Sequence, residues 1–579
     1  FGAMFQGLMS KVARRKLGAH YTREQNILRA IKPLFLDGLW GEFHAAGRSR
    51  PRLLALHQKL RRMNFLDPAC GCGNFLVVTY RELRRLELAI LRVFYRTQQQ
   101  QMLPQDLDAQ VWVNVDQFHG IEIDQHSAHI ARLAMWLTDH QANLLIGQEF
   151  GTYYRRLPLV TAPNIVVGDA LVVDWQSLLP PSGGDGRAIV HLIGNPPFLG
   201  PKNFGRLLAA PQRASLASVL APLPRNGVLD LVAGWYVKAA DYVAGTNVTC
   251  AFVSTSSIVQ GEQVGPLWQW MLERGIRLHF AHRSFQWTNE ATGPAAVDCV
   301  IIGFGACDTG RKVIFDYPDP AGEPVAIQAS NINPYLVDFD DLVLNARSRP
   351  LDDVPEIGIG NKPVDGGYFL FDPEERQAFL QKEPGAASLF RRWLGSDEYL
   401  EGSERWCLFV GDTAASELRK LPEVMRQINL VKRWRLGEIP NRKGKAASDE
   451  GPAESTAKLA AFPSRFHVTN VPRSAYLILP RHSGENRQYI PIGFVPASTL
   501  AGDACLISSD ATLYHFGVLT SAMHNAWVRY TCGRLTSRFR YSAKIVYNNF
   551  PWPTPSRAAA MRIEKAAQAV LDERERYLS

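Results

Sequence analysis

Asn64-Phe65-Leu66-Asp67-Pro68-Ala69-Cys70-Gly71-Cys72-Gly73-Asn74-Phe75 reads as a short apolar strand, a tight glycine turn and the start of a helix. The helix is expected to run on through Leu76, Tyr80, Leu83, Leu86 and Ile90, which are spaced for one apolar face. Glycines in such a turn let the main chain approach a ligand closely, and the helix start offers free N–H groups. That is the geometry of a nucleotide-type cofactor site on a doubly wound sheet. No third glycine completes a dinucleotide fingerprint, and a lone Gly-x-Gly carries little weight alone.

Further strands follow in order. Phe118-His119-Gly120-Ile121-Glu122-Ile123-Asp124 ends in acids, and a helix follows through Ala128, Ala131, Leu133, Ala134 and Leu137. An acid at the end of a second strand suits a ribose diol, although it is also a common helix cap. Asn164-Ile165-Val166-Val167-Gly168-Asp169-Ala170 looks like a third strand ending in an acid, suited to an adenine amino group. The fourth, Ile189 to Gly194, runs into Asn195-Pro196-Pro197-Phe198. Two prolines fix φ and remove two N–H donors, and the residue before each is pushed extended. Carbonyl oxygens and the Asn195 amide can then accept from an exocyclic NH2 while Phe198 offers a stacking face. Read alone, the tetrapeptide could equally be a rigid turn.

Together these motifs resemble the S-adenosylmethionine-dependent amino-methyltransferases of DNA. Asp67 to Phe75 is similar to their Asp-Pro-Ala-x-Gly-Ser-Gly-x-Phe cofactor loop, with Cys72 where Ser is common, and Asn195 to Phe198 matches their catalytic tetrapeptide. His20-Tyr21-Thr22-Arg23-Glu24 is similar to the segment that touches the methionine end of the cofactor. The order, with recognition last, is that of the gamma group of adenine-N6 methylases. Cys70-Gly71-Cys72-Gly73, Leu133 to Leu137 and Ser254-Thr255-Ser256 resemble the methylase part of single-chain type IIG/IIL restriction–modification enzymes and of related, DISARM-like phage-defence methylases. The likeness is strong over about 15–330 and recovers at Tyr547-Asn548-Asn549-Phe550-Pro551-Trp552-Pro553.

The resemblance implies an α/β protein with a Rossmann-like class I methyltransferase sheet, a helical N-terminal cover and a C-terminal mixed α/β target-recognition domain. It implies a cofactor set of Tyr21, Thr22, Asp67, Pro68, Ala69, Cys70, Gly71, Gly73, Asn74, Phe75, Glu122, Ile123, Asp169 and Ala170, and catalysis by Asn195, Pro196, Pro197 and Phe198. The target adenine must be flipped out of the duplex, with Phe198 stacked on one face. Among Phe280, Phe285 and Trp287, Phe285 is expected on the other.

Composition fits a large packed enzyme: 579 residues, 46% hydrophobic and 21% charged, for which two or three domains are expected. No apolar run is long enough to span a bilayer. No secretory signal is seen, and the chain begins with Phe1 rather than Met, as expected of a fragment. The eight cysteines are scattered, which fits a reducing bacterial cytoplasm and argues against zinc. His126 and His129 near Glu122 lack further ligands at a useful spacing, so no metal is expected.

The net charge of +9 suggests a polyanionic partner. Residues 411–490 hold 14 Lys or Arg against 8 Asp or Glu, so +6 of the +9 falls in that stretch. Basic clusters there and beyond (Arg433, Arg435, Lys443, Arg534, Arg538, Arg540) are expected to meet the phosphates of double-stranded DNA, although any one could be a solvated surface. Residues 444–456, low in large apolar side chains, read as a mobile loop.

The expected organisation is a helical segment over 1–60 covering the sheet edge, a catalytic domain over 61–330, a connector over 331–359, a recognition domain over 360–545 and a closing segment over 546–579. Three other functions share parts of this pattern. They are a protein-glutamine methyltransferase of the release-factor type, an RNA base methyltransferase, and a DNA-binding module that keeps the fold without catalysis. The tetrapeptide itself does not separate N6-adenine from N4-cytosine. No Asp…Glu-x-Lys nuclease constellation is evident; a nuclease or other defence subunits would lie outside this chain.

Overall fold

A computed structural model of the chain describes residues 22–95, 110–150, 162–181, 188–287, 297–444, 451–535 and 538–578. Tyr21 and the 445–450 part of the expected mobile loop lie outside them. The chain divides into two compact units, Phe1–Asn345 and Ala346–Ser579. Residues 331–359 are thus shared between the units.

The first unit is built on a nine-stranded sheet. Its strands are β1 (Met63–Asp67), β2 (Phe118–Glu122), β3 (Asn164–Val167), β4 (Ile189–Gly194), β5 (Thr249–Thr255), β6 (Arg277–Trp287), β7 (Val297–Gly305), β8 (Lys312–Asp316) and β9 (Val325–Ala329). Their order is 3-2-1-4-5-7-6-8-9. Strands β1 to β5 are parallel neighbours, and β7 runs antiparallel to β5. The chain steps from β1 outward to β2 and β3, then returns to lay β4 on the other side of β1. The β1–β4 boundary is therefore the topological switch point, where a crevice opens outside the carboxyl ends of the strands.

Helices α1 (Glu24–Ile31), α2 (Asp37–Ala46), α3 (Arg50–Arg62), α4 (Asn74–Tyr95) and α5 (Gln125–Phe150) pack a shared core with Phe65, Ile193, Ala251 and Val253 of the sheet. The helix after the glycine turn is as the periodicity predicts: Leu76, Tyr80, Leu83, Leu86 and Ile90 are all buried. The N-terminal cover differs from expectation. Ile27, Ala30 and Ile31 are buried, and α1 packs against α4, β5 and β7, so it lies over the middle of a sheet face and not at an edge. On the opposite face lie α6 (Ala233–Val243) and α7 (Val264–Glu273), where Tyr236 meets Phe252, Phe304 and Trp268.

The second unit is mixed α/β, with three small sheets among its described residues. One contains strands Tyr476–Pro480 and Cys505–Ser508, and another contains Phe390–Leu394 and Trp406–Leu408. The third pairs His482–Ser483 with a hairpin of Gly533–Leu535 and Arg538–Arg540. The last helix, Arg557–Leu578, packs on Leu513–Leu519, where Gly517 leaves room for Ile563.

Candidate active site and recognition surface

Four strand ends converge at the switch point, and missing side chains bring them close. A Cβ on Gly194 would fall 2.6 Å from Asp67 Oδ1, and one on Gly120 would fall 2.8 Å from Cys70 Sγ. Gly73 has φ +83° and leaves room for Ala131 of α5, while Gly71 has φ +54°. The glycine turn is thus folded against β2, β4 and α5, with Cys70 N–H donating to the Ile121 carbonyl at 3.1 Å.

Two acids fasten this turn. Asp67, 1% exposed, accepts from the Ala69 N–H at 3.0 Å. Glu122 accepts from Gly71 N–H and from Asp124 N–H, each at 2.9 Å. Burial pushes the Asp67 carboxyl up to about 8 against the pull of the Ala69 hydrogen bond, with the Glu122 charge adding to the rise. Burial raises Glu122 as well. Cys70 and Cys72 are also raised by burial, Cys72 to about 11, so neither is a ready thiolate. Asp169 accepts from Leu171 N–H at 2.9 Å and is half-buried, and Ile123 is 43% exposed beside Glu122.

Asn195 emerges from β4 next to this cradle. Its Nδ2 donates to Thr22 Oγ1 at 3.2 Å. Its Oδ1 is buried and has no hydrogen-bond partner among the described residues. A buried acceptor left unpaired is costly, so the arrangement suits an incoming N–H donor. Phe198 is half-buried and packs against the core cluster. Phe285 does not fit its expected part. It is 0% exposed, its ring stacks on Tyr317 at 5.2 Å, and the Arg29 guanidinium lies 5.1 Å from its centre. Enclosed in the core, it has no open face to offer a base. Phe280 is buried too.

In the second unit the basic residues separate into two kinds. Arg433, Lys443, Arg538 and Arg540 are exposed. Arg433 pairs with Glu438 at 3.3 Å. Arg435 is 0% exposed, contrary to a phosphate-contacting part. Its guanidinium donates to the carbonyls of Pro363, Val364, Leu459, Phe462 and Arg465 at 2.8–3.0 Å. Arg534 lies over the Phe539 ring at 4.6 Å, on the inward side of its hairpin. Arg538 and Arg540 share the other side of their strand, and Arg540 is paired with His482. Burial, followed by the charges of Arg540, Arg481 and Arg538, holds the His482 imidazole below its ordinary value.

A family model described as the MmeI DNA-methyltransferase domain matches residues 43–316, and one described as the MmeI target recognition domain matches 338–554. The solved structure of the type IIL restriction-modification enzyme MmeI in complex with DNA is 46% identical to this chain. The match has a TM-score of 0.90 and covers 100% of this chain and 74% of that one. The chain belongs to the MmeI family. DNA methyltransferase A of Bacillus subtilis (strain 168) is 36% identical over 577 residues, which are 99% of this chain and 62% of the relative. The chain thus spans less than two thirds of that relative's length. Like MmeI, it has a DNA-methyltransferase domain followed by a target recognition domain. Among the described residues no helix is long and apolar enough to cross a membrane.

Within this MmeI-type domain, several polar groups escaped the sequence. Asp230, Gln263 and Trp235 make buried or part-buried hydrogen bonds beside the tetrapeptide and the glycine turn. The only local signal was an acid before the apolar run Leu231 to Val237, which reads as an ordinary helix cap. Arg481 and His482 join Arg538 and Arg540 only through strand pairing across some 55 residues of chain, which no local motif announces.

Proposed function

We propose that this chain is a site-specific DNA adenine-N6 methyltransferase that uses S-adenosylmethionine and protects host DNA in a restriction–modification or phage-defence system. The observation that carries this is the buried Asn195 Oδ1 at the switch point, without a hydrogen-bond partner among the described residues, its amide oriented by Thr22. The glycine cradle between Asp67, Cys70 and Ala131, with acids at the ends of β1, β2 and β3, fits a nucleoside-bearing cofactor. When bound, S-adenosylmethionine supplies a methyl group on a sulfonium, activated for in-line attack.

The residues then have little acid–base work to do. Asn195 Oδ1 and the Pro196 carbonyl accept from N6–H, drawing the nitrogen towards sp3 geometry and freeing its lone pair. Phe198 stacks on the flipped base, worth roughly 1–3 kcal/mol. Alignment supplies most of the remainder, up to roughly 7–11 kcal/mol in well-oriented systems. Glu122 and Asp169 are the groups for the ribose and the adenine amine of the cofactor. Thr22, Ile123, Ala170 and the turn from Pro68 to Phe75 are the further residues that would hold it. Arg433, Lys443, Arg538 and Arg540 are the candidates for phosphate or base contacts on duplex DNA.

Asn195→Ala should abolish transfer of a tritiated methyl group to DNA while leaving cofactor and DNA binding within about threefold of the unaltered chain. Undiminished turnover in that variant would sink the mechanism. Sequencing methylated bases in DNA from cells expressing the chain tests adenine against cytosine, and competition between duplex DNA and RNA tests the substrate class.

A further inference from the structure

The two loops of the active site are not held together by the sheet alone. Pro196 and Pro197 have no N–H groups, so the tetrapeptide cannot continue the ladder of β4. Its first firm anchor of both kinds comes at Leu199. There the N–H donates to Asp230 Oδ1 at 2.9 Å and the carbonyl accepts from Leu231 N–H at 3.0 Å. The same carboxylate accepts from Val232 N–H at 3.2 Å, and Asp230 N–H donates to Gln263 Oε1 at 2.9 Å. One helical turn later, Trp235 Nε1–H donates to the Pro68 carbonyl at 3.0 Å, at the entry to the glycine turn. Asp230, Leu231 and Trp235 are each 7% exposed or less. Between them the chain turns with 230-to-233, 231-to-234 and 232-to-235 main-chain hydrogen bonds, so the spacing between the two attachment points is fixed by helix geometry.

We infer that Asp230 and Trp235 are positioning residues, the two ends of a rigid clamp that sets the register of the nucleophile-holding tetrapeptide against the methyl-donor turn. This rests on the proposed function. In-line transfer tolerates little misalignment, and a displacement of about 1 Å can cost about a hundredfold in rate. The clamp's side-chain hydrogen bonds end on main-chain atoms, the Leu199 N–H and the Pro68 carbonyl. Its loss should affect the rate with both ligands bound, and not their affinities.

The test uses the full chain carrying Asp230→Ala, Asp230→Asn, Trp235→Phe or the Asp230→Ala/Trp235→Phe pair. Single-turnover methyl transfer at saturating S-adenosylmethionine and duplex DNA is measured beside both dissociation constants. Asp230→Ala and Trp235→Phe should each slow transfer by about tenfold or more, with dissociation constants within about threefold. Asp230→Asn keeps an acceptor oxygen for Leu199 and should recover most of the rate. The pair should be no slower than the worse single variant by more than about twofold, because either break releases the same register. Hydrogen exchange at Leu199, which needs neither ligand, should rise in Asp230→Ala. Rates that fall only in step with ligand affinity overturn the clamp, as does Asp230→Asn being as slow as Asp230→Ala. Loss of methyl transfer by the unaltered chain would instead overturn the proposed function, while faster Leu199 exchange in Asp230→Ala would still support the mechanical link.

Discussion

At the scale of single residues, charge state and burial decide what each group can do. Asp67 has an ordinary value of 3.8 and is held up to about 8 by burial beside Glu122. Below an ordinary carboxylate value the group is protonated in folded and unfolded chains alike, and its contribution to stability is complete. As pH rises through about 8 the folded chain must ionise it in a dry site, and that contribution is lost. The melting temperature of the ligand-free protein should therefore fall from about pH 6 to about pH 8, and Asp67→Asn should flatten the fall. A cationic methyl donor should reverse the penalty. Calorimetry in buffers of different ionisation enthalpy should then show a proton released on cofactor binding, and affinity that rises with pH up to about 8. Affinity that stays flat over that range would separate Asp67 from the cofactor's charge.

Two arginines of the helix Pro422–Arg435 make a second contrast. Arg435 satisfies five main-chain carbonyls, a pattern a lysine cannot reproduce. Arg435→Lys should lower stability by about 2 kcal/mol or more in chemical denaturation, since buried acceptors are left unpaired. Arg433→Ala should leave stability nearly unchanged. If Arg433 meets a phosphate, the variant should reduce the slope of log affinity against log salt by about 1; an unchanged slope would remove it from the interface.

At the scale of elements, the turn after β1 is held by what its neighbours lack. Gly194→Ala places a methyl group 2.6 Å from Asp67 Oδ1, so β4 and β1 must part. The expected cost is about 1–3 kcal/mol of stability, together with weaker cofactor binding in calorimetry. This end of the sheet was legible in the sequence because each strand is short, apolar and closed by a polar residue. The helix after the turn was legible because five apolar residues keep a helical period. Strand β6 was not. Its pairing with β7 slips between Leu278 and Phe280 and again between His282 and Phe285. Each irregularity disturbs the alternation of faces. Phe280 and Phe285, five residues apart, consequently both enter the same core, where a regular strand would have sent them to opposite sides. Asp230 was missed for another reason: a capping acid and a loop-holding acid look identical until the partner, Leu199, is known.

At the scale of the whole molecule, the chain divides at Asn345 and Ala346. A protein of residues 1–345 should bind S-adenosylmethionine with the affinity of the full chain, measured by calorimetry, and should fail to methylate its DNA site. Site-specific methylation by that piece alone would place recognition in the first unit. Charge patterning marked the second unit as basic, but its internal design was out of reach of sequence reasoning. A buried guanidinium and an exposed one stand two residues apart in Lys432-Arg433-Trp434-Arg435, and only the packing of distant loops distinguishes them.

The Arg435 hub also bears on how such a domain can change. It grips the segments at 363–364 and 459–465 solely through peptide oxygens, which every amino acid carries. Exposed side chains along those segments, such as Phe462, can therefore be exchanged without breaking a hydrogen bond of the hub. Under selection for a new DNA sequence, or in a library built for the same purpose, these segments offer variable positions on an invariant frame.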